Sequence, residues 1–125
     1  MALPPLTPEQ RAEALARATA ARRVRAGVRE EVRTAGPRTA SVLAAVLDRG
    51  EHEEAVGKMR VAALLEAVPG IGKVRAAALM QRLHISASRR IRGLGLHQRA
   101  ALTDAFRDGL PEFVGGAGGT PSAGG

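Results

Sequence analysis

Val68-Pro69-Gly70-Ile71-Gly72-Lys73-Val74-Arg75-Ala76 and, one helix later, Ser86-Ala87-Ser88-Arg89-Arg90-Ile91-Arg92-Gly93-Leu94-Gly95-Leu96-His97-Gln98 decide how this chain reads. The first segment is a hairpin between two helices. Met59 to Val68 carries Val61, Leu64, Leu65 and Val68 at i, i+3, i+4 and i+7, the apolar face of a helix. Pro69-Gly70 ends it, Gly72 opens the next, and Ala76, Leu79, Met80 and Leu83 supply that helix's buried stripe. Gly70 is expected at positive φ, Ile71 pins the turn to the core, and the N–H groups at the helix start attract an anion. Lys73 adds a mobile positive charge there.

The second segment holds three arginines within four residues and two glycines that permit another tight turn. Ile85, Ile91 and Leu94 are placed to anchor it, with Arg89, Arg90 and Arg92 pointing outward. No acidic residue occurs between Glu66 and Asp104. Three guanidinium groups without a carboxylate nearby in sequence are better explained by an absent anion than by structural contacts to carbonyls. A last helix is expected from about Leu96 to Arg107, with Leu102 and Phe106 inward.

Upstream, Thr7-Pro8-Glu9-Gln10 is a helix start of the capping-box type. Strong helix formers then continue to about Thr34. Val24, Val28 and Val32 make a docking stripe in the C-terminal half of this helix, whereas the segment from Arg11 to Arg23 offers little beyond Ala and Leu15 and is expected to project into solvent. Its arginines suit equally a solvated face and a basic arm lying along phosphates. Ala35-Gly36-Pro37 stops it. Thr39 or Ser41 is expected to cap a second helix ending at Arg49-Gly50, with Val42, Leu43, Val46 and Leu47 in the core. Glu51 to Gly57 reads as an acidic loop with one helical turn, and its clustered Glu51, Glu53 and Glu54 as solvated carboxylates rather than a cation site.

Composition narrows the function. The chain has 125 residues with 19 Lys and Arg against 12 Asp and Glu, a net charge of +7, which favours a polyanionic partner. It has no Cys, so disulfides and thiolate metal sites are excluded, and its three His are scattered. With no Tyr, no Trp and two Phe it has almost nothing on which to stack an unpaired base. No Asn and only Gln10, Gln81 and Gln98 are present for the bidentate amide contact to adenine, so strong base readout is hard to build. No segment approaches the roughly 18 apolar residues of a membrane span, and the N-terminus lacks the pattern of a secretory leader. A cytoplasmic protein without membrane or small-molecule partner is the expectation. The segments expected are a flexible 1–7, a basic helix 8–34, a DNA-binding domain 35–108 and a disordered glycine-rich tail 109–125.

Met1 to Gln10, Gly57-Lys58-Met59, Leu64-Leu65-Glu66, Pro69-Gly-Ile-Gly-Lys-Val-Arg-Ala76 and Ser88-Arg-Arg-Ile-Arg-Gly-Leu-Gly95 resemble the actinobacterial integration host factor, a family unrelated in fold to the two-chain enterobacterial protein of similar name. The resemblance covers about residues 1 to 107. It implies an all-α fold, a long N-terminal helix followed by a compact helix-two-turns-helix (helix-hairpin-helix-like) domain. It further implies a nucleoid-associated role, in which duplex DNA is bound with little sequence preference and is bent or altered in topology. The turn, comprising Val68, Pro69, Gly70, Ile71, Gly72, Lys73, Val74 and Arg75, would touch DNA. So would a lid comprising Ser86, Ser88, Arg89, Arg90, Arg92, Gly93, Gly95 and Gln98. No metal, cofactor or catalytic residue is expected.

Two other classes use similar elements. Helix-hairpin-helix glycosylases place an Asp shortly after the turn, and helix-two-turns-helix glycosylases use an N-terminal Pro followed by Glu; this sequence has neither. A ribosomal protein of the small subunit carries a similar turn, so structured RNA stays open as the polyanion. The oligomeric expectation is a monomer, with two basic surfaces that would permit bridging of two duplexes.

Overall fold

A computed structural model describes residues 4–111. The expectations for residues 1–3 and for the tail from residue 112, Phe113 included, lie outside it. Among the described residues the chain is all helix and turn, apart from one isolated antiparallel bridge between Arg60 and Arg90.

Helix α1 spans Pro8–Arg33. Thr7 caps it as the sequence suggests: its hydroxyl accepts from the Gln10 N–H at 3.0 Å while the Gln10 side chain accepts from the Thr7 N–H at 3.0 Å. Val28 and Val32 are buried and Val24 packs against them, whereas Leu15 is 65% exposed. One end of α1 is therefore part of the core and the other projects.

Gly36–Arg38 forms a single 3-10 turn, with Gly36 at φ 57, before α2 (Thr39–Arg49). Neither Thr39 nor Ser41 caps α2. The N-cap position falls on Arg38, and the Thr39 hydroxyl donates backwards to the Gly36 carbonyl at 2.7 Å. The 3-10 turn runs directly into the helix, so no extended residue is available to carry a capping side chain. Leu43, Val46 and Leu47 are buried, while Val42 is half-buried.

The expected acidic loop contains the short α3 (Glu54–Gly57). Helix α4 is Val61–Glu66, shorter than the apolar pattern suggested, because Arg60, its N-cap, is held in extended backbone by its bridge to Arg90 of the lid. Val61 N–H donates to the Arg89 carbonyl at 3.0 Å and Ile91 N–H to the Met59 carbonyl at 2.9 Å. Helix α5 (Lys73–Arg82) buries Ala76, Leu79 and Met80 and ends at half-buried Leu83. His84 follows at φ 59, the one non-glycine positive φ among the described residues.

A 3-10 turn at Ile91–Gly93 leads into α6 (Leu96–Ala105); Leu102 and the C-cap residue Phe106 close the core. Twenty buried apolar residues from all six helices and the lid form one cluster, and among the described residues no polar side chain is buried with them. At about 25 cal/mol per Å² of apolar surface removed from water, that cluster supplies the dominant stabilising term.

Candidate nucleic-acid interface

The turn is built from backbone. Gly70 adopts φ 92, a conformation L side chains rarely adopt, so the glycine is required there. Val68 and Ile71 are buried on either side, and Ile71 N–H donates to the Val68 carbonyl at 3.0 Å. The loop is thereby fixed to the core between α4 and α5. Gly72 is the N-cap of α5 in extended conformation and brings no side chain to cap it. The first-turn N–H groups thus face outward beside the positive end of the helix dipole. Exposed Lys73 stands at that start with Val74, which is 73% exposed. Arg75 is turned back: its Nη1 donates to the Gly70 carbonyl at 3.2 Å, bracing the turn. A Cβ built on Gly72 would meet nothing within 4 Å, so the face in front of it is open.

The lid is built from side chains. Arg89 Nη1 donates to the Gly93 carbonyl at 3.1 Å, and Arg90 Nη1 donates to the Lys58 carbonyl at 3.1 Å. Each guanidinium therefore fixes the lid with one nitrogen, which corrects the expectation that all three arginines merely point outward. The reason is geometric. A short segment with only Ile85, Ile91 and Leu94 to anchor it needs polar ties, and a planar fork with five donors supplies one without giving up its charge. Arg89 is half-buried, and its Nε has no hydrogen-bond partner among the described residues.

Arg92 lies elsewhere. Its Cβ packs 3.2 Å from where a Gly57 Cβ would stand, and its side chain lines a cleft with Glu51, Glu53 and Glu54. The lid therefore has a carboxylate beside it that the sequence gap between Glu66 and Asp104 does not reveal. The Glu54 carboxyl is held below its ordinary range by the hydrogen bond from Lys58, then by the fields of Lys58, Arg92 and Arg17.

Gly50 and Gly57 permit this arrangement. A Cβ on Gly50 would sit 2.4 Å from Ile91 Cγ2, and one on Gly57 2.6 Å from the Gly50 carbonyl oxygen. Their packing role is not visible in the sequence, because Gly50 meets Ile91 and Gly57 meets Arg92, residues 41 and 35 positions away. Ser86 and Ser88 share a 3.3 Å hydrogen bond on the exposed surface. Gln98 serves the fold: its Oε1 accepts from the Gly95 N–H at 3.0 Å and its Nε2 donates to the His84 carbonyl at 2.8 Å. That second bond holds the positive-φ residue at the end of α5.

The acidic loop is committed internally. Arg49 pairs with Glu53 at 2.9 Å and with Glu31 at 3.5 Å, Lys58 pairs with Glu54 at 2.8 Å, and Arg99 with Glu51. Asp48, Glu51 and His52 bring ligand atoms within 4.8 Å of one another, all on exposed residues. No helix of the described residues is long and apolar enough to cross a membrane.

Comparison with known proteins agrees with this geometry. A family model described as an S13-like H2TH domain matches residues 38–106. Proteins called integration host factor are similar over 106 residues. The one from Streptomyces coelicolor is 54% identical, covering 85% of this chain and 95% of that protein. The one from Mycobacterium tuberculosis is 50% identical, covering 85% and 97% respectively. A solved structure of sIHF bound to an 8-bp palindromic DNA superposes with a TM-score of 0.61 at 48% identity, covering 72% of this chain and 97% of that one.

Proposed function

The chain belongs to the integration host factor family, with an S13-like H2TH domain, and from that premise we propose that it is an architectural protein of the nucleoid. It binds duplex DNA through phosphates and bends it or changes its topology. The observation that carries this reading is the pairing of two donor-rich segments on one rigid core: the uncapped α5 start at Gly70–Lys73 and the arginine lid at Arg89–Arg92. The DNA held by the related sIHF supports duplex DNA as the partner.

Direct phosphate contacts fall to the N–H groups of the α5 start and to Lys73, Arg90 and Arg92. Val68, Pro69, Ile71, Gly93, Gly95 and Gln98 shape the two segments. Residues 35–108 form the gripping domain and residues 8–34 a basic helix attached to it. The reading assigns no catalytic step, cofactor or membrane contact, places the protein on the chromosome in the cytoplasm, and takes one chain as the binding unit.

The test is atomic force microscopy of relaxed circular DNA with and without the protein, on two circles of unrelated sequence. Bending or compaction to the same degree on both is expected. Circles left unchanged would overturn the reading.

A further inference from the structure

We propose that the DNA-binding surface does not end at the lid but continues across α3 onto the projecting half of α1, where Lys58 and Arg17 grip the backbone of the same duplex. This rests on the duplex-binding reading above and extends its site.

Two clefts meet at Glu54. One is lined by Gly57, Glu54 and Arg92 of the lid, the other by Glu54, Lys58, Arg17 and Arg25. Lys58 joins them: its ammonium pairs with Glu54 at 2.8 Å, and its carbonyl receives Arg90 of the lid at 3.1 Å. Arg17, Lys58 and Arg92 thus surround one carboxylate and leave positive charge in excess. The neighbouring acids do not offset it, since Glu53 is held by Arg49 and Glu51 by Arg99.

The helix itself supports a partner. From Pro8 to Ala21 no residue of α1 is buried. Arg22, Arg25 and Arg29 follow at i+3 and i+4 spacings, where like charges repel. In the buried half of α1 the acids are already matched, Glu30 by Arg33 and Glu31 by Arg49. From Pro8 to Ala21 Arg11 and Arg17 balance Glu9 and Glu13, so the unmatched charge is concentrated from Arg22 to Arg29, where the helix leaves the core. At 1.5 Å per residue the projecting segment is about 20 Å long, which is about six base pairs of duplex at 3.4 Å each.

The experiment measures the slope of log K against log salt on duplexes of about 8 and about 20 base pairs, with the full chain and the variants Arg17→Ala, Lys58→Ala and Arg92→Ala. Alanine is the best helix former, so Arg17→Ala leaves α1 intact. On the longer duplex, Arg17→Ala and Lys58→Ala should each flatten the slope by about 0.9, one phosphate contact apiece. On the shorter duplex Arg17→Ala should match the unsubstituted chain, while Arg92→Ala flattens the slope on both. If neither Arg17→Ala nor Lys58→Ala changes the long-duplex slope while Arg92→Ala does, the extension onto α1 is wrong and the duplex-binding reading stands. A slope near zero for the unsubstituted chain on both lengths overturns the two together.

Discussion

The turn and the lid present the same kind of surface by opposite means. At the turn the donors are main-chain N–H groups held by a glycine at φ 92 and by two buried aliphatic residues, and the one flanking lysine has no structural duty shown. At the lid the donors are guanidinium groups, of which two also tie the segment down through the Gly93 and Lys58 carbonyls. At the turn the two duties fall on different residues, with Arg75 bracing the Gly70 carbonyl and Lys73 carrying only charge, whereas at the lid they are fused. Substitutions should therefore behave differently in the two places.

The largest effect is expected at Gly57→Ala. Its Cβ would lie 2.6 Å from a backbone oxygen and 3.2 Å from Arg92 Cβ, so the lid must move. Overpacking of this kind costs about 1–3 kcal/mol. Thermal denaturation should show that loss, and duplex affinity should fall through the displaced lid. Unchanged stability would mean that the close approach of Gly50, Gly57 and the lid is misplaced.

Next comes a pair of reciprocal exchanges. Arg90→Lys keeps the charge but loses the planar fork, so it should weaken the lid by about 1 kcal/mol, near the net worth of one hydrogen bond, and lower duplex affinity about fivefold. Lys73→Arg should bind as the original does, because only a positive charge is needed there. Equal tolerance at both positions would erase the distinction between the two segments. Arg90→Ala should weaken binding to unrelated duplexes alike; loss confined to one sequence would indicate base readout instead.

The fold was largely legible because its signals are local. Thr7 and Gln10 announced the capping box, Val28 and Val32 the docking end of α1, and Pro69-Gly70 the turn with its positive φ. Periodicity cannot show what depends on contacts between distant segments. The bridge between Arg60 and Arg90 cuts α4 short, Gly50 and Gly57 admit the lid, and Glu54 lies beside Arg92. His84 at φ 59 carried no sequence signal either, since its support comes from Gln98, fourteen residues on. Residue types mark the two segments of the candidate site, but the structural work of Arg75, Arg89, Arg90 and Gln98 lies in bonds to backbone carbonyls that residue types do not display.

A smaller effect probes the acidic loop beside the lid. The hydrogen bond from Arg49 holds the Glu53 carboxyl below its ordinary value of 4.5. A depressed folded-state pKa stabilises the protein above the unfolded value, and that contribution disappears as pH falls through the folded value. Glu53→Gln should accordingly lower the melting temperature slightly near pH 7, and the difference should shrink as pH falls below 4.5 and through the lowered folded value. A difference that persists there would show that Glu53 acts through something other than its charge.

The central claim is that phosphate contacts dominate, and the salt dependence of duplex binding by the unsubstituted chain tests it most directly. Lys73, Arg90 and Arg92, with Lys58 and Arg17 beside them, neutralise five phosphates, which at about 0.9 each predict a slope of about −4.5 in log K against log salt, similar for unrelated sequences. A slope near zero would contradict the account.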